Sequence, residues 1–270
     1  MSNTALEVEE RQTLTRTDSE LLDHDRFTIR TSPGDLVISP REFLRYADPP
    51  AETAFPLEYA FHLLGDVRGK TVVDLGSGDG LNTAILASLG AKVISLQYSN
   101  QSVEMTTERV RANNLERDVT LILADVGTIP VRDGSADRVL SVSMFREPDC
   151  VATARRIRRV LKPGGVAAFL SPVTGPDWFC QIKSFLPPPD SLPQDERALA
   201  ADQIEAVTRA VGRGGRLREF TLITRVLERI GVRCVATIRN AHKLDAWILR
   251  HFAGVRALAS PWVWEAYKEH

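Results

Sequence analysis

One short stretch of this chain joins an acid to three glycines at alternate positions, Asp74-Leu75-Gly76-Ser77-Gly78-Asp79-Gly80, directly after the apolar run Thr71-Val72-Val73. Glycine reaches positive φ without strain and lets a backbone come close to a ligand. The residues after Gly80 have a helical pattern. The loop therefore feeds a helix N-terminus, where free N–H groups and the helix dipole favour electronegative groups. The chemistry available to such a unit is the grip of a ligand by backbone. The spacing D-x-G-x-G-x-G differs from the dinucleotide fingerprint G-x-G-x-x-G. No Gly-Lys-Ser/Thr follows, which excludes a P-loop.

Few other residues are placed for chemistry. Glu147, in Phe145-Arg146-Glu147-Pro148-Asp149, follows the fourth expected strand. It lies on the side where parallel sheets bind ligands and is a candidate base or substrate contact. His62, His242 and His251 sit on helical patterns and read as surface or core histidines. Trp178, Phe179, Trp247 and Trp262 are candidates either for a substrate pocket or for core packing. Cys150, Cys180 and Cys234 are far apart and form no C-x-x-C pair, so no metal site and no disulfide framework is expected. That cysteine usage points to a reducing, cytoplasmic setting.

The elements that must position these residues alternate. Strands are expected at 71–75, 92–96, 119–124, 138–142 and 166–170, with helices at 80–89, 100–114 and 149–161 between them. Such alternation predicts a parallel sheet with right-handed crossovers. Upstream, 41–66 reads as helical, broken by Pro49, Pro50 and Pro56. Downstream of Leu170 the alternation stops in a proline-rich insert. Helical stretches follow at 198–211, 221–230 and 241–258. Gly212-Arg213-Gly214-Gly215 reads as a turn, 216–221 as a sixth strand, and Trp262-Val263-Trp264-Glu265-Ala266-Tyr267 as a last one. The fold class is thus α/β: a Rossmann-like, seven-stranded, mostly parallel sheet with helices on both faces. It carries additions at the N-terminus and after strand five. The divisions are a flexible arm at 1–40, a ligand-binding core at 41–171, a substrate-capping insert at 172–258 and the final strand at 259–270.

The 270 residues carry a net charge of −1, so no global field attracts nucleic acid or an anionic membrane. No apolar run reaches the ~18 residues of a membrane span, and residues 1–25 lack a hydrophobic targeting segment. The run Ala154-Arg155-Arg156-Ile157-Arg158-Arg159-Val160-Leu161 spaces its apolar residues helically and reads as a solvated helix face.

The order of motifs resembles class I S-adenosylmethionine (SAM)-dependent methyltransferases of the small-molecule type over roughly residues 44–173. Asp74, Gly76, Ser77, Gly78 and Gly80 match the family's cofactor loop, beside the methionine part of SAM. Asp125, in Leu123-Ala124-Asp125-Val126, matches the acid that accepts a hydrogen bond from the adenine amino group. Ile129-Pro130 through Asp137 resembles the lead-in to strand four, and Leu161-Lys162-Pro163-Gly164-Gly165 the turn before strand five. Tyr46, in the helical lead-in, is implied to reach over the cofactor as a second catalytic candidate beside Glu147. The chain departs from the family at the end of strand two, where Gln97 stands in place of an acid. A carboxylate accepts from both ribose hydroxyls, whereas an amide offers one carbonyl acceptor and an NH₂ donor. That exchange costs about 1–2 kcal/mol, or roughly ten- to thirtyfold in affinity.

The resemblance implies methyl transfer from SAM to a small molecule, such as a natural product; a homodimer and a partner protein both stay open. The charge, the lack of a long apolar run and the cysteine spacing lead to the expectation of no nucleic-acid or membrane partner and no metal. A second reading, motivated by Gln97, is a cyclase or eliminase on the same fold with weakened or lost SAM binding.

Overall fold

A computed structural model describes residues 36–76, 78–124, 127–143, 149–174, 198–223, 227 and 235–269. Ser77, Asp125, Glu147, Trp178 and Phe179 lie outside the described residues, as do residues 1–35 of the N-terminal arm and most of 221–230.

Seven strands form one sheet: β1 (Thr71–Leu75), β2 (Lys92–Gln97), β3 (Val119–Leu123), β4 (Ala136–Val142), β5 (Leu161–Ser171), β6 (Arg213–Glu219) and β7 (Trp262–Tyr267). Their spatial order is β3-β2-β1-β4-β5-β7-β6. The pairs from β3 through β5 are parallel. β7 runs antiparallel to both β5 and β6. The chain leaves β1 toward β2 and β3, then returns to place β4 on the other side of β1. The β1–β4 boundary is therefore the switch point, and the crevice beyond its carboxyl ends is where an open α/β sheet binds ligands.

Helices α1 (Pro40–Ala47), α2 (Pro56–Leu64), α3 (Leu81–Ser88) and α4 (Asn100–Ala112) cover one face. Their core joins Tyr59, Phe61, Leu64, Ile85 and Val110 to Val72, Val93, Leu140 and Val263 of the sheet. Helices α5 (Cys150–Val160) and α6 (Ala201–Val211) cover the other. There Ile157, Val160 and Val207 pack on Val73, Leu75, Phe169 and Trp264. Phe169 and Trp264 stack at the centre of that layer, with centroids 5.0 Å apart. The long helix α7 (Val235–His251) and a 3-10 turn (Ala253–Leu258) precede β7.

Local sequence starts these helices where they start. Ser39 and Glu42 form a capping box at α1. The Ser99 hydroxyl accepts from Ser102 N–H at 3.1 Å ahead of α4, and Asp149 accepts from Ala152 N–H at 2.8 Å ahead of α5. The expected helix at 41–66 is two helices, because Pro49, Pro50 and Pro56 interrupt the ladder. The helix expected at 241–258 begins earlier, at Val235, and stops at His251.

The turn expected at 212–215 is instead the head of β6. A Cβ on Gly212 would lie 2.3 Å from the Tyr267 carbonyl oxygen, and one on Gly215 2.5 Å from the Tyr267 ring. These glycines serve close strand approach at an irregular step in register between Gly214 and Leu217. Strand β6 thus sets residues 213–219, from within the stretch assigned to the insert, at the edge of the core sheet.

Candidate functional site

The β1 strand alternates its side chains, so Asp74 faces the α3–α4 side while Val73 and Leu75 face the other. Asp74 is fully buried. Its Oδ2 accepts from the Thr83 hydroxyl at 2.7 Å, and its buried Oδ1 has no hydrogen-bond partner among the described residues. Burial pushes the Asp74 carboxyl up to about 7, against a smaller downward effect of the Thr83 hydrogen bond; the Asp79 charge adds to the rise. The Thr83 hydroxyl also lies 2.8 Å from Ser95 Oγ, linking β1, α3 and β2 through one polar chain.

That chain continues to Gln97. Its Nε2 donates to Thr106 Oγ1 at 2.9 Å and lies 3.2 Å from Ser95 Oγ. Gln97 is fully buried, and its backbone carbonyl accepts from Ala124 N–H at 2.9 Å. The amide therefore ties the end of β2 to α4.

Above this layer the loop turns through three positive φ angles, +71° at Gly76, +58° at Gly78 and +79° at Gly80. Gly80 is the N-cap of α3 and lies against α4. A Cβ there would sit 2.7 Å from Thr106 Cα and 2.7 Å from its Oγ1. A Cβ on Gly78 would meet nothing within 4 Å. The chain's own packing thus explains why Gly80 lacks a side chain and does not supply the same reason for Gly78. Arg109 of α4, only 3% exposed, holds the loop from outside. It donates to the Asp79 carbonyl and to Asp79 Oδ2, both at 2.9 Å. Arg109 and Asn113 also reach the Leu36 carbonyl, at 3.4 and 2.9 Å. Among the residues the sequence reading missed, Arg109, Thr83 and Thr106 matter most. An arginine or threonine at helical spacing carries no mark of the loop thirty residues upstream.

The sequence candidates are thus partly brought together. Asp74, Gly76, Gly78, Gly80 and Gln97 gather at the carboxyl ends of β1 and β2. Tyr46 does not join them. Its buried ring packs on Phe61 at 4.9 Å. It lines an open cleft of about 660 Å³ with His62, Val67, Arg68 and Gly90, residues around the turns that enter β1 and β2 at their amino ends. Its hydroxyl is held above the usual tyrosine range mainly by burial.

The far wall of the crevice is built at the end of β5. Val173 N–H donates to Ser260 Oγ at 3.0 Å, and Ser260 N–H to the Thr221 carbonyl at 3.2 Å. Ile223 N–H donates to Asp245 Oδ1 at 2.8 Å, which pins α7 to the same wall. Trp262 is half-buried there, with its Nε1 donating to the Ala259 carbonyl, whereas Trp247 is exposed. His62 is structural: its Nδ1 lies 2.9 Å from the Pro49 carbonyl oxygen, and Arg216 meets its Nε2. His242 packs on Phe55, and burial holds its imidazole below the usual histidine range. Among the described residues no cluster of three or more His, Cys, Asp or Glu side chains is arranged to hold a metal ion.

Comparison with known proteins agrees with this geometry. Residues 73–169 match the family model described as a methyltransferase domain. The methyltransferase GfsG of Streptomyces halstedii is 37% identical over 121 residues, covering 44% of each chain. The present chain therefore spans less than half the length of that curated relative. Geranyl diphosphate C-methyltransferase from Streptomyces coelicolor A3(2) superposes with a TM-score of 0.57 at 15% identity, over 78% of both chains. A cyclase, SpnF, superposes at 0.55 with 19% identity, also over 78% of both chains. At such identities the two structures establish the shared fold.

Proposed function

We propose that this chain, whose residues 73–169 match a methyltransferase-domain model, is a class I SAM-dependent methyltransferase that transfers the sulfonium methyl of SAM to a small-molecule acceptor. The observation that carries the reading is the loop Gly76–Gly80, turned at the carboxyl end of β1 with open space over Gly78 and with Gly80 locked on Thr106. A backbone held this way can lie flat against a ligand, and the α3 N-terminus behind it offers N–H donors.

SAM supplies an activated methyl group. What the protein must contribute is chiefly proximity and alignment with the acceptor. Gly76, Gly78 and Gly80 are proposed to lie along the methionine part, with Ser77 between them. Gln97 is proposed near the ribose and Asp125 near the adenine, from their places after β2 and β3. Gln97 is fully buried with its amide nitrogen directed to Thr106 and Ser95, so its nearness to the ribose is proposed from its place at the end of β2. Asp74 acts beneath the loop: its carboxylate holds Thr83 and through it the start of α3. The crevice wall at Val173, Thr221 and Ser260 is proposed to bound the acceptor, and Glu147 to contact it. A cytoplasmic setting is part of the same reading.

The test is conversion of SAM to S-adenosylhomocysteine in the presence of a panel of small hydroxyl, amine and carbon-acid acceptors. Acceptor-dependent formation of S-adenosylhomocysteine supports methyl transfer. Consumption of an acceptor without it would favour cyclisation or elimination on the same fold, the reading that Gln97 motivates.

A further inference from the structure

Helix α7 buries one face, Ala241, Asp245 and Leu249, and among the described residues its opposite face is exposed. Leu244 is 46% exposed, Trp247 53% and Phe252 53%. At roughly 100° per residue, Leu244, Trp247 and His251 fall within an arc of about 60°. Lys243 and Arg250 fall about 20° apart beside that arc. The aromatic groups form one patch: Trp247 lies 4.9 Å from the His251 ring and 5.9 Å, edge-on, from Phe252. Lys243, Arg250, His251 and Arg256 are all exposed around it. The single acid between residues 240 and 257 is Asp245, which is 1% exposed and faces inward. Glu52, across from Arg250, is the one carboxylate paired with these cations among the described residues.

We propose that this face of α7 docks on an anionic lipid surface. Large aromatic side chains beside a basic stripe, on a helix whose other face is packed into the protein, are the composition of an interfacial helix. Trp suits the boundary between headgroups and acyl chains, and cations near that surface each strengthen binding about fivefold. The whole-chain charge of −1 hides this, because the acids that balance these cations lie elsewhere in the sequence. No helix among the described residues is long and apolar enough to cross a membrane, so the contact is peripheral. Because Asp245 pins α7 to the wall beside β5, docking would bring that end of the crevice to the lipid. The inference does not depend on methyl transfer.

The experiment is sedimentation of the full chain with vesicles of phosphatidylcholine alone and of equal parts phosphatidylcholine and phosphatidylglycerol. The wild type is expected to bind the anionic vesicles and not the neutral ones. Trp247→Ser combined with Phe252→Ser is expected to weaken binding at least tenfold, and Lys243→Glu, a change of two charges, about 25-fold, with melting temperatures unchanged. Absence of wild-type binding to anionic vesicles would overturn the proposal, as would binding insensitive to both variants. A large fall in melting temperature for the Trp247/Phe252 variant would overturn it too, by showing that the chain itself covers this face. Wild-type dimerisation abolished by that variant would instead assign the face to a second copy.

Discussion

Gly80→Ala and Gly78→Ala should separate what the loop does for the fold from what it does for a ligand. At Gly80, φ +79° costs an L-residue about 1–2 kcal/mol. The reduced freedom of the unfolded chain returns about 0.5–1 kcal/mol of this. The new Cβ would also meet Thr106 Cα at 2.7 Å, Oγ1 at 2.7 Å and Cγ2 at 2.8 Å. One of those atoms is backbone, so α4 itself must move, and overpacking of this kind costs about 1–3 kcal/mol. The expected loss is about 2–4 kcal/mol, a fall of roughly 5–12 °C in melting temperature for a chain of this size. At Gly78 only the φ contribution applies, since a Cβ there meets nothing within 4 Å. The expected loss is about 1 kcal/mol or less, roughly 2–3 °C. Calorimetric titration of folded Gly78→Ala with SAM should nevertheless show affinity reduced at least tenfold, about 1.4 kcal/mol. Adding Thr106→Ala to Gly80→Ala should restore part of the stability, because it clears the side-chain contacts and leaves the Cα. Equal destabilisation by the two glycine variants would refute the role of Thr106. Unchanged SAM affinity in Gly78→Ala would refute close approach of a ligand to the loop.

Three other outcomes follow from the polar layer beneath the loop. Asp74 has its folded pKa raised to about 7 by burial, so the unfolded chain gives up its proton first. Stability should fall as pH rises from about 4 to about 7 and then level off, by an amount on the order of 4 kcal/mol. Urea melts across that range should show the fall flattened in Asp74→Asn, and an identical slope in the variant would exclude Asp74 as its source. Arg109→Met removes a buried cation that holds Asp79 and Leu36. Because the Asp79 carboxylate left behind is partly exposed, a loss of about 1–3 kcal/mol is expected by thermal melting, together with weaker SAM binding; a neutral effect would mean the loop is held otherwise. Gln97→Asp deletes the donor to Thr106 and buries a carboxylate. About 2 kcal/mol of stability should be lost without ligand, with tighter SAM binding by titration; unchanged affinity would argue that position 97 does not touch the ribose.

The parallel core was legible because its signals are local. Thr71-Val72-Val73 and the alternate glycines each encode a strand end or a turn within a few residues, whereas Lys162-Pro163-Gly164-Gly165, expected as a turn before strand five, lies within β5 at an irregular step in its register with β4. The head of β6 was not, because the glycines at 212–215 that suggested a turn are there to let Tyr267 of the neighbouring strand come close. The glycine loop proposed to hold the ligand could be read directly, but its supports could not. Arg109 and Thr106 reach it only after α4 folds back across the sheet, a relation set by tertiary packing. Tyr46 lies apart from the loop for the converse reason. Its position upstream of the loop suggested proximity, yet α2 intervenes, and the packing of Tyr46 on Phe61 directs it toward the amino ends of the strands. Gln97 stood out as a departure at the end of strand two, but its bond to Thr106, which makes it part of the scaffold, has no sequence signature.

Titration of the folded wild-type chain with SAM and S-adenosylhomocysteine tests the central claim most directly. One-site binding in the micromolar range, weakened in Gly78→Ala, is the predicted result. No heat from wild-type protein whose folding is verified by its cooperative melt would contradict a cofactor site at Gly76–Gly80.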